Sequence, residues 1–191
     1  MSTLDNPNAM EITDLPVRPN AVRSGLITGL LLIAVSLIFQ LTGFTDPAKA
    51  STSASWISGL ASFVVLAGGL IWGINQQKQD QKGYLTFGKG LKVAVLAALI
   101  VGLITAVWVV INFTYVQPDM AETMKEAARE QMYQRNPNLT DSDIDQAMGF
   151  MSMMFNPWVL AISSILTTVV QGLIIGLIGP AILKKNPPET A

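Results

Sequence analysis

Four apolar runs without a single charged side chain dominate this sequence: residues 25–44, 56–74, 93–113 and 158–183. Crossing the hydrocarbon layer as a helix takes about 20 mostly apolar residues, because backbone polar groups must be satisfied within the segment where water is missing. The second run is near the short end of that range, and the fourth is long enough to tilt. A soluble protein with four buried helices would need a polar shell. Only 13% of the 191 residues are charged, against roughly 25% in soluble domains. The fold class is therefore all-α: a polytopic membrane protein with a bundle of four transmembrane helices.

The first run could be confused with a cleaved signal, because Ala48, Lys49 and Ala50 form an Ala-x-Ala pattern after it. It is longer than a signal core of roughly 7 to 15 residues, and Asp5, Glu11 and Asp14 precede it beside only Arg18 and Arg23. It is read as a retained span.

Basic residues resist translocation and collect on the cytoplasmic side. With the N terminus inside, the inner segments hold eight: Arg18, Arg23, Lys78, Lys82, Lys89, Lys92, Lys184 and Lys185. The outer segments hold four: Lys49, Lys125, Arg129 and Arg135. Both termini are expected to be cytoplasmic.

Residues 1–20, with Pro7, Pro16 and Pro19 and little apolar periodicity, read as a disordered tail. The membrane domain covers 21–187, and 188–191 form a short C-terminal tail. The inner loop interleaves Tyr84, Leu85 and Phe87 with Lys82 and Lys89. That mix suits the lipid headgroup layer as an anchored entry to the third span. Gly88, Lys89 and Gly90 lack the spacing and the preceding strand of a phosphate loop.

The largest connector, 114–157, reads as an external hairpin of two helices. Pro118 suits a first helical position, Asp119 and Glu122 suit the positive end of a helix dipole, and Asn136 before Pro137 stops the first helix. The second starts near Thr140 and runs to Phe155, where Asn156 and Pro157 turn the chain into the fourth span. Asp141, Asp143 and Asp145 open like a calcium loop, but Gln146 and Ser152 stand where glycine and glutamate are required. They read as helix-start acids. Seven of nine methionines fall here: Met120, Met124, Met132, Met148, Met151, Met153 and Met154. Thioethers suit cuprous copper, yet their helical spacing favours packing.

Small residues recur every four positions within the spans: Gly25 and Gly29; Gly69 and Gly73; Ala98, Gly102 and Ala106; Ser164, Thr168, Gly172 and Gly176. Such stripes let helix backbones approach closely, within one chain or between chains. Pro180 is expected to kink or loosen the end of the fourth helix. Gln40 and Gln171 are the most polar intramembrane side chains, with Asn112 nearer an interface. They suit interhelical hydrogen bonds or, as the alternative, a solute path.

No histidine and no cysteine occur in the chain. That excludes imidazole bases, thiolate nucleophiles, disulfides and the metal sites built on either residue. A net charge of -1 gives no pull toward nucleic acid. We expect no catalytic residue, cofactor or metal. The first functional reading is a non-enzymatic scaffold or partner subunit in contact with the lipid bilayer and with a membrane protein partner or further copies of itself. The second is a small oligomeric channel or permease for an uncharged or weakly polar solute, lined by Gln40, Gln171 and the hydroxyls of the fourth span.

With its four spans in this order, the Gly83-Tyr84-Leu85-Thr86-Phe87-Gly88-Lys89-Gly90 stretch entering the third, and Ile182-Leu183-Lys184-Lys185-Asn186-Pro187 closing the fourth, the chain resembles domain-of-unknown-function family 4199. The similarity includes the acidic, methionine-containing insert and covers 22–187. It implies a small bacterial inner-membrane protein of four spans with no assigned activity, and so no functional residues to carry over.

Overall fold

The computed structural model of the chain describes residues 15–44, 52–138 and 140–185. Residues 1–14 of the tail, the Ala48-Lys49-Ala50 pattern and residues 188–191 lie outside them. Six α-helices follow in order: α1 Arg18–Leu41, α2 Thr52–Asp80, α3 Phe87–Ile111, α4 Met120–Arg135, α5 Asp141–Met154 and α6 Pro157–Leu183. A π-helical turn, Asn112–Val116, prolongs α3, and no strand forms among the described residues. Helices α1, α2, α3 and α6 are long and apolar enough to cross a membrane. The chain is a multi-pass membrane protein.

Helices α1, α2 and α3 begin before their apolar runs and α2 also outlasts its own, whereas α1 stops at Leu41 and α6 adds only Pro157. Helix α1 starts at Arg18, inside the stretch read as tail, with Pro19 in its first turn, where proline's missing N–H costs nothing. Helix α2 continues to Asp80, then stops at a turn with Lys82 and Gly83 at positive φ (55° and 88°). Helix α6 starts at Pro157, and the Asn156 side chain caps it by accepting from the Trp158 N–H at 2.9 Å.

Pairwise registers give the topology. Gly73 and Gly69 of α2 face Ser24 and Thr28 of α1, so those two helices are antiparallel. Gly25 and Gly29 of α1 face Ile100 and Ile104 of α3, which is parallel. Gly102, Gly172 and Gly176 set α3 against α6 in antiparallel order. An up-and-down bundle results, with α3 packed between α1 and α6. Leu15, Lys185 and the α2–α3 turn share one end. There the Gln77 side chain donates to the Leu15 carbonyl at 3.4 Å, and Leu85 and Lys185 exchange two backbone hydrogen bonds (3.0 and 3.2 Å).

That end is also where the core is tightest. Leu70, Ile74, Leu85, Val93, Ala94, Ala97, Ala98 and Val101 are fully buried. Leu85, expected in the headgroup layer, belongs to this core, because the backbone pairing with Lys185 turns its side chain inward. Pro180 lies inside α6, which runs on to Leu183 as the apolar run does. The proline ring packs on Gly90, where a Cβ would lie 2.6 Å from its Cγ.

Candidate functional site

The predicted packing glycines are consumed within the chain. A Cβ at Gly25 would meet Ile100 Cβ at 2.8 Å, one at Gly29 Ile104 Cδ1 at 2.9 Å, and one at Gly176 Ala94 Cβ at 2.9 Å. One at Gly102 would be 3.1 Å from the Ile165 Cα. At Gly69, Gly73 and Gly172 it would overlap the Thr28 side chain, the Ser24 side chain and the Ala98 methyl. The stripe on α6 splits in two: Gly172 and Gly176 close against α3, whereas Ser164 and Thr168 face an open space.

That space is a cavity of about 450 Å³ in the half of the bundle away from the chain ends. All four long helices line it. Ser36 comes from α1, Gly59, Ser62 and Phe63 from α2, and Thr105 and Trp108 from α3. Helix α6 supplies Ser163, Ser164, Thr167, Thr168 and Gln171. Leu66, fully buried, lies at its inner limit toward the closed core. No lining residue is ionisable.

Most hydroxyl protons there are already used. Ser62 donates to the Ser58 carbonyl (2.9 Å), Thr105 to Val101 (3.0 Å), Ser164 to Ala161 (2.8 Å) and Thr168 to Ser164 (2.7 Å). Ser36 Oγ accepts from Gln40 Nε2 at 3.2 Å and from the Trp108 indole at 3.4 Å. Gln40 thus reaches the cavity through Ser36, while Gln171 lines it directly. Gln171 makes no hydrogen bond to any described residue. Asn112 lies elsewhere, buried at the start of the π turn with its Nδ2 unpaired.

Polar groups also organise the end that carries the chain ends. Asn20 Nδ2 donates to Gln77 Oε1 (2.9 Å) and Asp80 Oδ2 (2.7 Å). With its amide oriented to satisfy both ends, Gln81 donates to the Tyr84 carbonyl (3.2 Å) and accepts from Gln77 (3.1 Å) and Lys89 (3.0 Å). Arg23 lies over the Trp72 ring and Lys185 over Tyr84 (5.6 and 5.7 Å). The sequence flagged the cations but not this carboxamide chain, whose members lie outside the apolar runs.

Helices α4 and α5 pair antiparallel at the other end. Arg129 bonds Asp145 and the Tyr133 hydroxyl donates to Asp141, each at 2.7 Å, and Ile144 is the buried residue of α5. The hydrogen bond to Asp141 raises the phenol pKa of Tyr133. Five of the seven methionines are half-buried, but Met153 and Met154 are exposed beside Phe150. The Thr140 hydroxyl accepts from the Asp143 N–H (3.3 Å), and the Asp143 carboxylate accepts from the Thr140 N–H (3.1 Å), forming a capping box.

The hydrogen bond from the Thr140 hydroxyl, then the one from its backbone, hold the Asp143 carboxyl below its ordinary 3.8. A depressed folded pKa stabilises the fold above the unfolded value, and that contribution is lost as pH falls through the folded pKa. The start of α5 should therefore stay ordered at neutral pH and loosen only below the ordinary carboxylate range. Titration of the Asp143 side chain by NMR should show a midpoint under 3.8, and Thr140→Val should move it upward.

Comparison with curated proteins and with solved structures returns no match. Residues 23–185, well over half of the chain, match one family model. This four-span chain belongs to the DUF4199 family of proteins of unknown function.

Proposed function

We propose that the chain is a non-enzymatic membrane scaffold or partner subunit. It sits in a bacterial inner membrane with both termini cytoplasmic and the α4–α5 pair external. The orientation is supported by the eight basic residues at the end that carries the chain ends, where Asp80 is the one acid among the described residues. The absence of histidine and cysteine from the sequence removes the commonest general base and the thiolate nucleophile.

The uncovered apolar edge of α5 carries the partner reading. Phe150 (67% exposed), Met153 (68%) and Met154 (53%) stand out beside Trp158 (67%). Only Phe155 and Asn156 separate α5 from the membrane-spanning α6, so this edge lies at the membrane surface. Aromatic and methionine side chains are enriched where protein surfaces meet. The packing glycines face neighbours inside the chain, so those stripes are not free for a partner, whereas the edge of α5 is.

A photoreactive amino acid at Met153, introduced in native membranes, is expected to give one discrete adduct at high yield. The same group at exposed Ser152, on the side of α5 turned away from Phe150 and Met154, should give none. The mass of the adduct separates a second copy of this chain from another membrane protein. Unmodified chain at both positions, or equal diffuse labelling, counts against the partner role.

The cavity favours a second reading, a small permease for an uncharged or weakly polar solute, because it brings Gln171 and the α6 hydroxyls together with the Gln40–Ser36 pair. The packed core closes it on its inner side, so transport would require those helices to separate.

A further inference from the structure

We infer that the cavity is a binding site for a neutral lipid with a hydroxyl headgroup, of the diacylglycerol type. The site requires neither a partner nor transport. Its lining carries no charge, so an ionised head would be desolvated without compensation. The ligand is therefore neutral.

Hydrogen-bond polarity narrows the class further. Four of the seven lining hydroxyls, those of Ser62, Thr105, Ser164 and Thr168, spend their protons on carbonyls of their own helices and offer only lone pairs, whereas Ser36, Ser163 and Thr167 keep a proton to donate. A ligand hydroxyl supplies the matching donor. Gln171, unpartnered within the described chain, offers an N–H donor for an ester carbonyl and an oxygen for a second hydroxyl. Leu32, Ile33, Phe63, Val109 and Leu160 complete the lining with apolar surface suited to the beginning of an acyl chain.

Access is from the lipid. Phe63 is 41% exposed, Ser163 and Thr167 are exposed, and nothing lies within 4 Å of where a Gly59 Cβ would stand. A volume of about 450 Å³ lies within the range of small-molecule sites, roughly 300–1,000 Å³. It accommodates a glycerol head and the first part of its chains, with the tails remaining in the bilayer.

The test uses the full chain in phosphatidylcholine nanodiscs. It is photolabelled in parallel with a diacylglycerol, a phosphatidic acid and a phosphatidylcholine that share one diazirine-bearing tail. Adducts from the diacylglycerol on 59–66 and 160–171 are expected to exceed those from the other two by about tenfold, the factor that 1.4 kcal/mol of lost or mismatched hydrogen bonding gives. Gln171→Leu should lower them about fivefold. Gly59→Trp, which fills open space, should remove them while the elution volume on size exclusion stays unchanged. Equal labelling by all three lipids at these residues, or labelling that survives both substitutions, overturns the assignment. If Gly59→Trp fails to fold, the lipid comparison and Gln171→Leu still decide it.

Discussion

Gly172→Leu should prevent the bundle from assembling, whereas Gly68→Leu should leave it folded. The two positions share residue type, membrane environment and intrinsic helix propensity, so the contrast isolates packing. A Cβ at Gly172 would overlap the Ala98 methyl, and the Ala94 carbonyl oxygen lies 3.6 Å away. Neither neighbour has a flexible end that can rotate aside. Overpacking a tight contact costs about 1 to 3 kcal/mol and sometimes more. A leucine side chain between two helix backbones belongs at the upper end, because α3 and α6 would have to separate along their length. In lipid, close van der Waals packing is what holds such helices together, with no hydrophobic gain to replace it.

At Gly68 nothing lies within 4 Å of the added Cβ, and a leucine there joins the apolar surface already facing lipid. Its effect should fall within about 0.5 kcal/mol, as for substitutions away from tight packing. Unfolding in mixed micelles of increasing SDS fraction, followed by tryptophan fluorescence, should show no cooperative transition for Gly172→Leu and a wild-type transition for Gly68→Leu. Equal stability of the two variants would contradict the α3–α6 register.

The glycine stripes are legible in the sequence because a four-residue recurrence on a helix marks one face whatever that face meets. Which helix each stripe meets is not legible: nothing in Gly69 or Gly73 names Thr28 or Ser24, since that pairing depends on topology. Ser164 and Thr168 share a spacing with Gly172 and Gly176, yet a cavity opens beside the first pair and not the second. Helix separation along the bundle is a tertiary quantity with no counterpart in one-dimensional periodicity. Leu85 escapes the sequence reading for a related reason. It stands among Tyr84, Thr86 and nearby lysines, and only its pairing with Lys185, far along the chain, carries it into the core. Thr140 as the start of α5 is readable because capping is local, decided by residues three positions apart.

Single cysteines at Gly83 and Asn138 should label from opposite faces of the membrane. The chain has no cysteine of its own, so each variant offers one reactive group. Both positions lie in turns outside the spanning helices. Gly83 follows α2 at the end that holds Leu15, Lys185 and the cations, whereas Asn138 lies between α4 and α5 beyond the far end of α3. One passage through α3 separates the two, and backbone groups cannot cross hydrocarbon in any other way here.

A membrane-impermeant maleimide applied to intact spheroplasts should modify Asn138→Cys nearly completely and Gly83→Cys hardly at all. Lysis should make both reactive. The expected contrast is all-or-none, because it depends on which compartment a group occupies and not on a small free-energy difference. The reverse pattern would keep the four-span bundle but invert it, placing the basic end outside against the usual retention of lysine and arginine in the cytoplasm. Labelling of both positions from one side would mean that α3 does not cross, and the antiparallel α3–α6 pair could not then be a transmembrane unit.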